Sequence, residues 1–397
     1  MSAKPAAVSV DVADRPAHWD GVFAMSLCVF ALIASEFMPV SLLTPIASEL
    51  QVTEGQAGQA IAVSGVFAVF TSLFITAIAG RLDRKVLLLA LTGIMAISGA
   101  IVALAPNYVV FMIGRALIGV VIGGFWSMSA ATAMRLVPDD QVPRALAIFN
   151  GGNALATVIA APLGSFLGAL IGWRGAFFCV VPVAVIVFVW QWISLPRMAA
   201  KAEGKSTNVF KMLNRPLVAL GMASVSLFFM GQFVLFTYVR PFLETVTQVD
   251  VSTLSLVLLG VGVAGFAGTS LISGFLKDGL YRTLIVIPVV MAGIAAMLIL
   301  FGGQLAVTAT LLAIWGFIGT AAPVGWWTWL ARSLPNDAEA GGGLMVAVIQ
   351  LAITFGAVIG GVLYDLSGYR LTFLASAAML LIAALAAGRT SRDQPAA

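Results

Sequence analysis

Glu36 and Arg115 are charged residues set deep in runs of otherwise apolar residues. A charge at the centre of a membrane helix costs about 2.5–3.5 kcal/mol, so such groups usually face a partner or an aqueous cavity. Glu36 stands 15 residues into its run, about 22 Å at 1.5 Å per residue. Arg115 stands about 8 residues into a run that enters from the opposite side, about 12 Å down. In a hydrocarbon core of about 30 Å both fall in the same half, within about a turn of each other. They are expected to couple or to share a cavity. Three chemistries are open to them. Glu36 can take and release a proton with Arg115 adjusting its acidity, the two can form a permanent pair pinning two helices, or Glu36 can touch a substrate. Moving one charge through 100 mV supplies about 2.3 kcal/mol, roughly a 50-fold concentration ratio. One titrating carboxylate would therefore suffice to export a neutral solute.

Around this pair lie residues that can shape a cavity or bend a helix. Arg115, Gly119 and Gly123 repeat every four residues on one helix face, which lets a neighbouring backbone approach. Pro162, with Gly164 and Gly168 behind it, frees a carbonyl and bends its helix, giving either a flexible contact between halves or close packing. The turn Asp83-Arg84-Lys85 carries topology charges and is a candidate latch, with Lys277-Asp278 a weaker counterpart. Asn153, Gln232, Thr237, Tyr238, Gln350 and Thr354, with Trp126, Trp315, Trp326 and Trp327, are candidates to line a cavity. The alternatives are that the tryptophans mark the membrane interface and that the polar side chains bond helix to helix. Gly260, Gly262 and Gly265 match a dinucleotide-binding pattern only formally, since they sit inside an apolar 20-mer with no strand before them.

The elements that must position these residues are membrane helices. Of 397 residues 61% are hydrophobic and only 10% charged, too few charges to cover a water-soluble protein of this size. Twelve runs are long enough to span, at about 21–44, 57–79, 86–105, 108–133, 145–168, 174–194, 217–240, 253–275, 283–302, 305–330, 341–364 and 369–388. The first carries Glu36 and Pro39 behind a polar tail and reads as a span, not a cleaved signal. With the N-terminus inside, 17 of 21 basic residues lie on the cytoplasmic side and only Arg174, Arg240 and Arg370 outside, so both termini are expected in the cytoplasm. The organisation is a tail (1–20), a six-helix half (21–194), a central loop (195–216), a second six-helix half (217–388) and a tail (389–397).

The halves resemble each other. Gly124-Phe125-Trp126-Ser127 before Arg135-Leu136-Val137-Pro138-Asp139-Asp140 parallels Gly325-Trp326-Trp327-Thr328 before Arg332-Ser333-Leu334-Pro335-Asn336-Asp337. Gly172-Trp173-Arg174 with Phe177 parallels Gly368-Tyr369-Arg370 with Phe373. Two related halves place a substrate site between them near the midplane, with rocking as the access mechanism. Other classes are disfavoured. Cys28 and Cys179 lie in apolar runs and the one histidine, His18, in the polar tail, so no metal site, disulfide framework or histidine catalysis is expected. A net charge of +4 without a dense basic face argues against nucleic acid. No cofactor and no enzymatic activity are expected, and the chain is expected to work as a monomer.

Arg115-x3-Gly119-x3-Gly123, Pro162 with its flanking glycines and the Asp83-Arg84-Lys85 turn resemble the major facilitator superfamily, in particular its twelve-helix drug:proton antiporters. The stretches Glu36–Pro45, Gly123–Ala130, Met134–Pro138, Ala160–Gly168, Gly231–Phe233, Phe236–Tyr238 and Val324–Trp326 are similar to the bacterial purine ribonucleoside efflux pumps, with the arabinose and sugar efflux permeases nearby. The resemblance implies an all-α integral membrane fold of twelve helices in two pseudo-symmetric halves in the bacterial inner membrane. It implies efflux of purine nucleosides such as inosine and guanosine in exchange for protons, or alternatively of sugars or drugs. It makes Glu36 the membrane acid of the first helix, Arg115 the arginine of the fourth, and Pro162 with Gly164 the antiporter motif. The family's turn between helices 2 and 3 is longer than the compressed Asp83-Arg84-Lys85 here.

Overall fold

The computed structural model describes residues 17–79, 82–138, 141–199, 209–334 and 338–392. Gly80 and Arg81, Asp139-Asp140, Pro335–Asp337, most of the central loop and most of both tails lie outside them, as do the side chains of Lys277 and Asp278. The helices are α1 (Trp19–Leu50), α2 (Glu54–Ala79), α3 (Arg84–Ala103), α4 (Tyr108–Leu136), α5 (Val142–Phe178), α6 (Val180–Ser194), α7 (Pro216–Phe236), the short α8 (Val239–Phe242), α9 (Val251–Phe301), α10 (Leu305–Gly319), α11 (Ala322–Ser333) and α12 (Ala338–Arg392). Among the described residues ten helical stretches are long and apolar enough to cross a membrane.

Three of these helices fold back on themselves. A straight 51-residue α9 or 55-residue α12 would reach about 76–82 Å, more than twice a bilayer core. Non-helical glycines break them: Gly172 (φ 74°) in α5, Gly279 (φ −144°) in α9 and Gly368 (φ 69°) in α12. Only glycine adopts the left-handed conformation of Gly172 and Gly368 without strain. The packing traces the reversal in α5. Gly152 lies against Ser26, Gly168 against Leu42, Trp173 donates to Glu49, and Leu195 returns to Gly21.

The pseudo-repeat is visible in the backbone. Gln51 (φ 55°) ends α1 and Gln248 (φ 58°) ends the stretch after α7, and the left-handed glycines Gly172 and Gly368 are likewise nearly half the chain apart. One apolar core is built from α1–α6, and another chiefly from α7–α12, the second also taking in Val40, Ile61 and Ala62 of α1 and α2. The halves meet along α2 against α12 and α5 against α9. The large apolar side chains left exposed, such as Ile193, Leu300 and Leu366, suit lipid.

Candidate functional site

Two prolines inside α1 organise the site. Proline has no N–H, so Pro39 leaves the carbonyl of Ser35 without a helical donor and Pro45 does the same to Ser41. An arginine takes each freed carbonyl. Arg115 Nη1 donates to Ser35 O (2.6 Å), while its other nitrogens donate to Glu36 O (2.8 Å), Ala60 O (3.2 Å) and Ser64 Oγ (3.3 Å). Arg240, from the other half, donates to Ser41 O and pairs with Glu244 (2.8 Å). Arg115 is fully buried, and a guanidinium with five donors is the side chain that can satisfy several carbonyls at once. Arg115 therefore meets Glu36 through its backbone. The two side chains form no ion pair.

The Glu36 carboxylate points to the other half. It is 3% exposed and accepts a hydrogen bond from Gln350 Nε2 of α12 at 3.3 Å. Thr354, one turn further along α12, donates to Gln350 O (2.8 Å) and to Ala62 O of α2 (3.4 Å). Phe37 stacks on Phe233 of α7 with centroids 5.7 Å apart, so an aromatic pair also bridges the halves here.

From this level to the end of the bundle where α1 gives way to α2, the halves are sealed. Thr53 and Gln56 cap α2 reciprocally, each accepting the other's backbone N–H at 3.0 Å. Asp365 of the second half adds its carboxylate to that helix terminus, accepting from Thr53 Oγ1 (2.6 Å) and Gly55 N (3.0 Å). An anion is favoured there by the helix dipole. Tyr238 is buried beside Gly58, donates to Ala357 O (2.9 Å) and stacks on Tyr364 at 5.2 Å. Small residues of α2 at 55, 58, 62 and 65 allow this approach, since a methyl group on Gly58 or Gly65 would overlap Tyr238 or Thr354.

The family model of the Major Facilitator Superfamily matches residues 25–342. The chain belongs to that superfamily. It is 62% identical over 385 residues to a Pseudomonas aeruginosa protein named transcription regulatory protein OpdE, and 42% identical over 381 residues to the purine ribonucleoside efflux pump NepI of Salmonella typhimurium. Each alignment covers 96% of both chains. Two solved structures share the fold. A bacterial homologue of the human lysosomal transporter Spinster, in an inward-facing and unoccupied conformation, has a TM-score of 0.76 at 15% identity, covering 96% of this chain and 98% of that one. A D-xylose–proton symporter has a TM-score of 0.74 at 17% identity, covering 93% and 95%.

In this superfamily member, the residues singled out from sequence are distributed unevenly around the site. Glu36, Arg115, Gln350 and Thr354 come together. Thr237, fully buried and bonded within its own helix, lies with Tyr238 in the sealed end. Gln232 is half-buried against Gly319, with its Oε1 unpartnered. Trp315 and Trp326 belong to the second half's core, and Trp327 is 41% exposed. Trp126 packs on the first half's core beside Phe125, and Asn153 is half-buried on α5.

Gly119 and Gly123 bring α4 onto the α2 backbone at Ser64 and Ala68, and Gly164 brings α5 onto Ser41 and Met38 of α1. Pro162 frees the carbonyl of Val158, and Gly262 of α9 packs directly on Val158. Asp83 caps α3 through Lys85 N (2.8 Å) and accepts from Met198 N (3.0 Å), while the backbone of Arg84 donates to Met198 O (2.9 Å). This turn thus anchors the strand of chain after α6, in its own half.

Arg240 and Asp365 were not singled out from sequence. Pro45 was the available signal for Arg240, because it orphans a carbonyl that needs a donor. The small residues spaced along α2 were the signal for a close inter-half contact.

Proposed function

We propose that the chain is a proton-coupled antiporter that exports purine ribonucleosides such as inosine and guanosine from the cytoplasm of a bacterium. It crosses the inner membrane twelve times with both termini inside, works as a monomer, and alternates access by rocking its halves. The reversals at Gly172, Gly279 and Gly368 support the twelve crossings, and the 17 to 3 division of basic residues supports the orientation. One observation carries the reading: a buried carboxylate, Glu36, sits where the halves meet and bonds a residue of the opposite half. A carboxylate there is placed to exchange a proton with whichever side is open.

In this orientation the sealed end faces outward, so the conformation is closed to the outside. The inward-facing state of the Spinster homologue is in keeping with that. Arg115 holds α1 in the bent shape that aims Glu36 at α12. Gly119, Gly123, Pro162 and Gly164 are the packing and bending points on which the halves move. Gln350, Thr354, Gln232 and Asn153, with Phe37 and Phe233, offer amides, a hydroxyl and aromatic faces to a flat, hydroxylated solute. The nucleoside specificity draws on the Salmonella relative.

The Pseudomonas relative's name favours a second reading, a role in gene regulation. Export of an effector would produce one indirectly. The test is purified protein in liposomes with an acidic lumen, offered labelled inosine, guanosine, arabinose and a lipophilic cation in turn. Accumulation of the nucleosides is expected. No movement of any solute overturns the transporter reading, and movement of arabinose or the cation alone reassigns the substrate.

A further inference from the structure

Gln350 is placed to sense whether Glu36 carries its proton. The amide and the carboxylate come from opposite halves, 314 residues apart in sequence, and both side chains are more than nine-tenths buried. As the contact stands, only one of the amide's two functions is used. Nε2 donates to Glu36 Oε1, while Gln350 Oε1 is buried with no hydrogen-bond partner. A buried acceptor left unpaired is costly, and each one calls for an explanation.

An ionised carboxylate has no proton to offer that oxygen. A protonated Glu36 has one. Its hydroxyl, on Oε2, can donate to Gln350 Oε1 while Gln350 Nε2 keeps donating to Glu36 Oε1, closing a ring of two hydrogen bonds. We propose that Gln350 is the coupling residue of the transporter: protonation of Glu36 adds a second bond across the halves and stabilises the outward-closed arrangement, and loss of the proton to the cytoplasm removes it. The proposal rests on the reading of Glu36 as the proton site.

Surrounding groups do not compete for this role. From α2, α4, α5, α7 and α12, packed around this level, the charged group facing Glu36 among the described residues is Arg115. Its donors are committed to the carbonyls of Ser35, Glu36 and Ala60 and to the Ser64 hydroxyl. The direction also fits antiport. A proton taken up from outside has to favour the state that closes outward, so that it is carried in and released inside. One extra buried hydrogen bond shifts a two-state ratio by about fivefold.

The test uses full-length protein with spin labels on cysteines at Ser48 and Gln304, exposed sites in opposite halves at the sealed end, with Cys28 and Cys179 replaced by serine. The distance distribution is read against pH in three backgrounds: unaltered, Glu36→Gln, and Gln350→Met, which keeps the volume and removes the amide. In the unaltered background the closed population is expected to rise about fivefold relative to the open one as pH falls. In Gln350→Met that response flattens, and pH-driven nucleoside accumulation falls. Glu36→Gln keeps two amides that can pair fully, so its closed population stays high and does not respond to pH. A Gln350→Met protein that responds to pH like the unaltered one overturns the proposal and leaves the reading of Glu36 intact. No pH response in the unaltered protein, with Glu36→Gln transporting normally, overturns that reading itself.

Discussion

Arg115 donates to the carbonyl oxygen of Ser35, the carbonyl that Pro39 deprives of its helical N–H. The arginine and the proline therefore form one device, in which the carbonyl that the proline frees and the cation that takes it depend on each other. Removing the guanidinium strands buried carbonyls, and hydrogen bonds to charged groups contribute about 1.5–3 kcal/mol. Arg115→Met is expected to destabilise the protein by about 2–3 kcal/mol in detergent unfolding. Pro39→Ala restores an N–H for Ser35, so in that background the loss shrinks by about 1 kcal/mol. Strict additivity of the two changes would show that the relationship carries no stability.

Glycine faces give a second prediction with an internal control. A methyl group on Gly119 would overlap the backbone oxygen of Ser64, and neither backbone can give way easily. Gly151, also helical, would meet nothing within 4 Å. Gly119→Ala is expected to lower thermal stability and yield sharply. Gly151→Ala is expected to be neutral or to add up to about 1 kcal/mol from helix propensity. Thermal unfolding of the two purified variants, measured side by side, checks this.

Much of this was legible in the sequence because membrane helices follow simple geometry. Rise per residue put Glu36 and Arg115 at one level, and the structure has Arg115 bonding the Glu36 carbonyl. The repeated Gly-aromatic-Arg turns recur as left-handed glycines. Arg240 and Asp365 were not legible, since each reads as an ordinary charge near a helix end. Only packing brings Arg240 to a carbonyl 199 residues away, or Asp365 to the backbone N–H of Gly55, 310 residues away in sequence. The tryptophans were ambiguous for a different reason. Apolar bulk marks a core and a cavity wall alike, and Trp315 and Trp326 lie in the core.

The seal between the halves can be loosened at one carboxylate. Asp365→Ala removes the acceptor for Thr53 Oγ1 and Gly55 N and leaves the reciprocal Thr53–Gln56 cap of α2 in place. Two bonds across the halves, one at a helix N-terminus, are together worth about 1–3 kcal/mol. The expected outcome is a Ser48–Gln304 spin-label distribution shifted toward longer distances with little change in unfolding temperature. An unchanged distribution would mean that Asp365 does not hold the halves together.

The proposed transport mechanism turns on Glu36 carrying the proton that drives it. It is tested most directly by Glu36→Gln in liposomes, compared with unaltered protein in two modes: nucleoside accumulation driven by a pH gradient, and exchange of labelled for unlabelled nucleoside at equal pH. The prediction is that the variant loses gradient-driven accumulation and retains exchange. Gradient-driven accumulation by Glu36→Gln at the unaltered rate would contradict it.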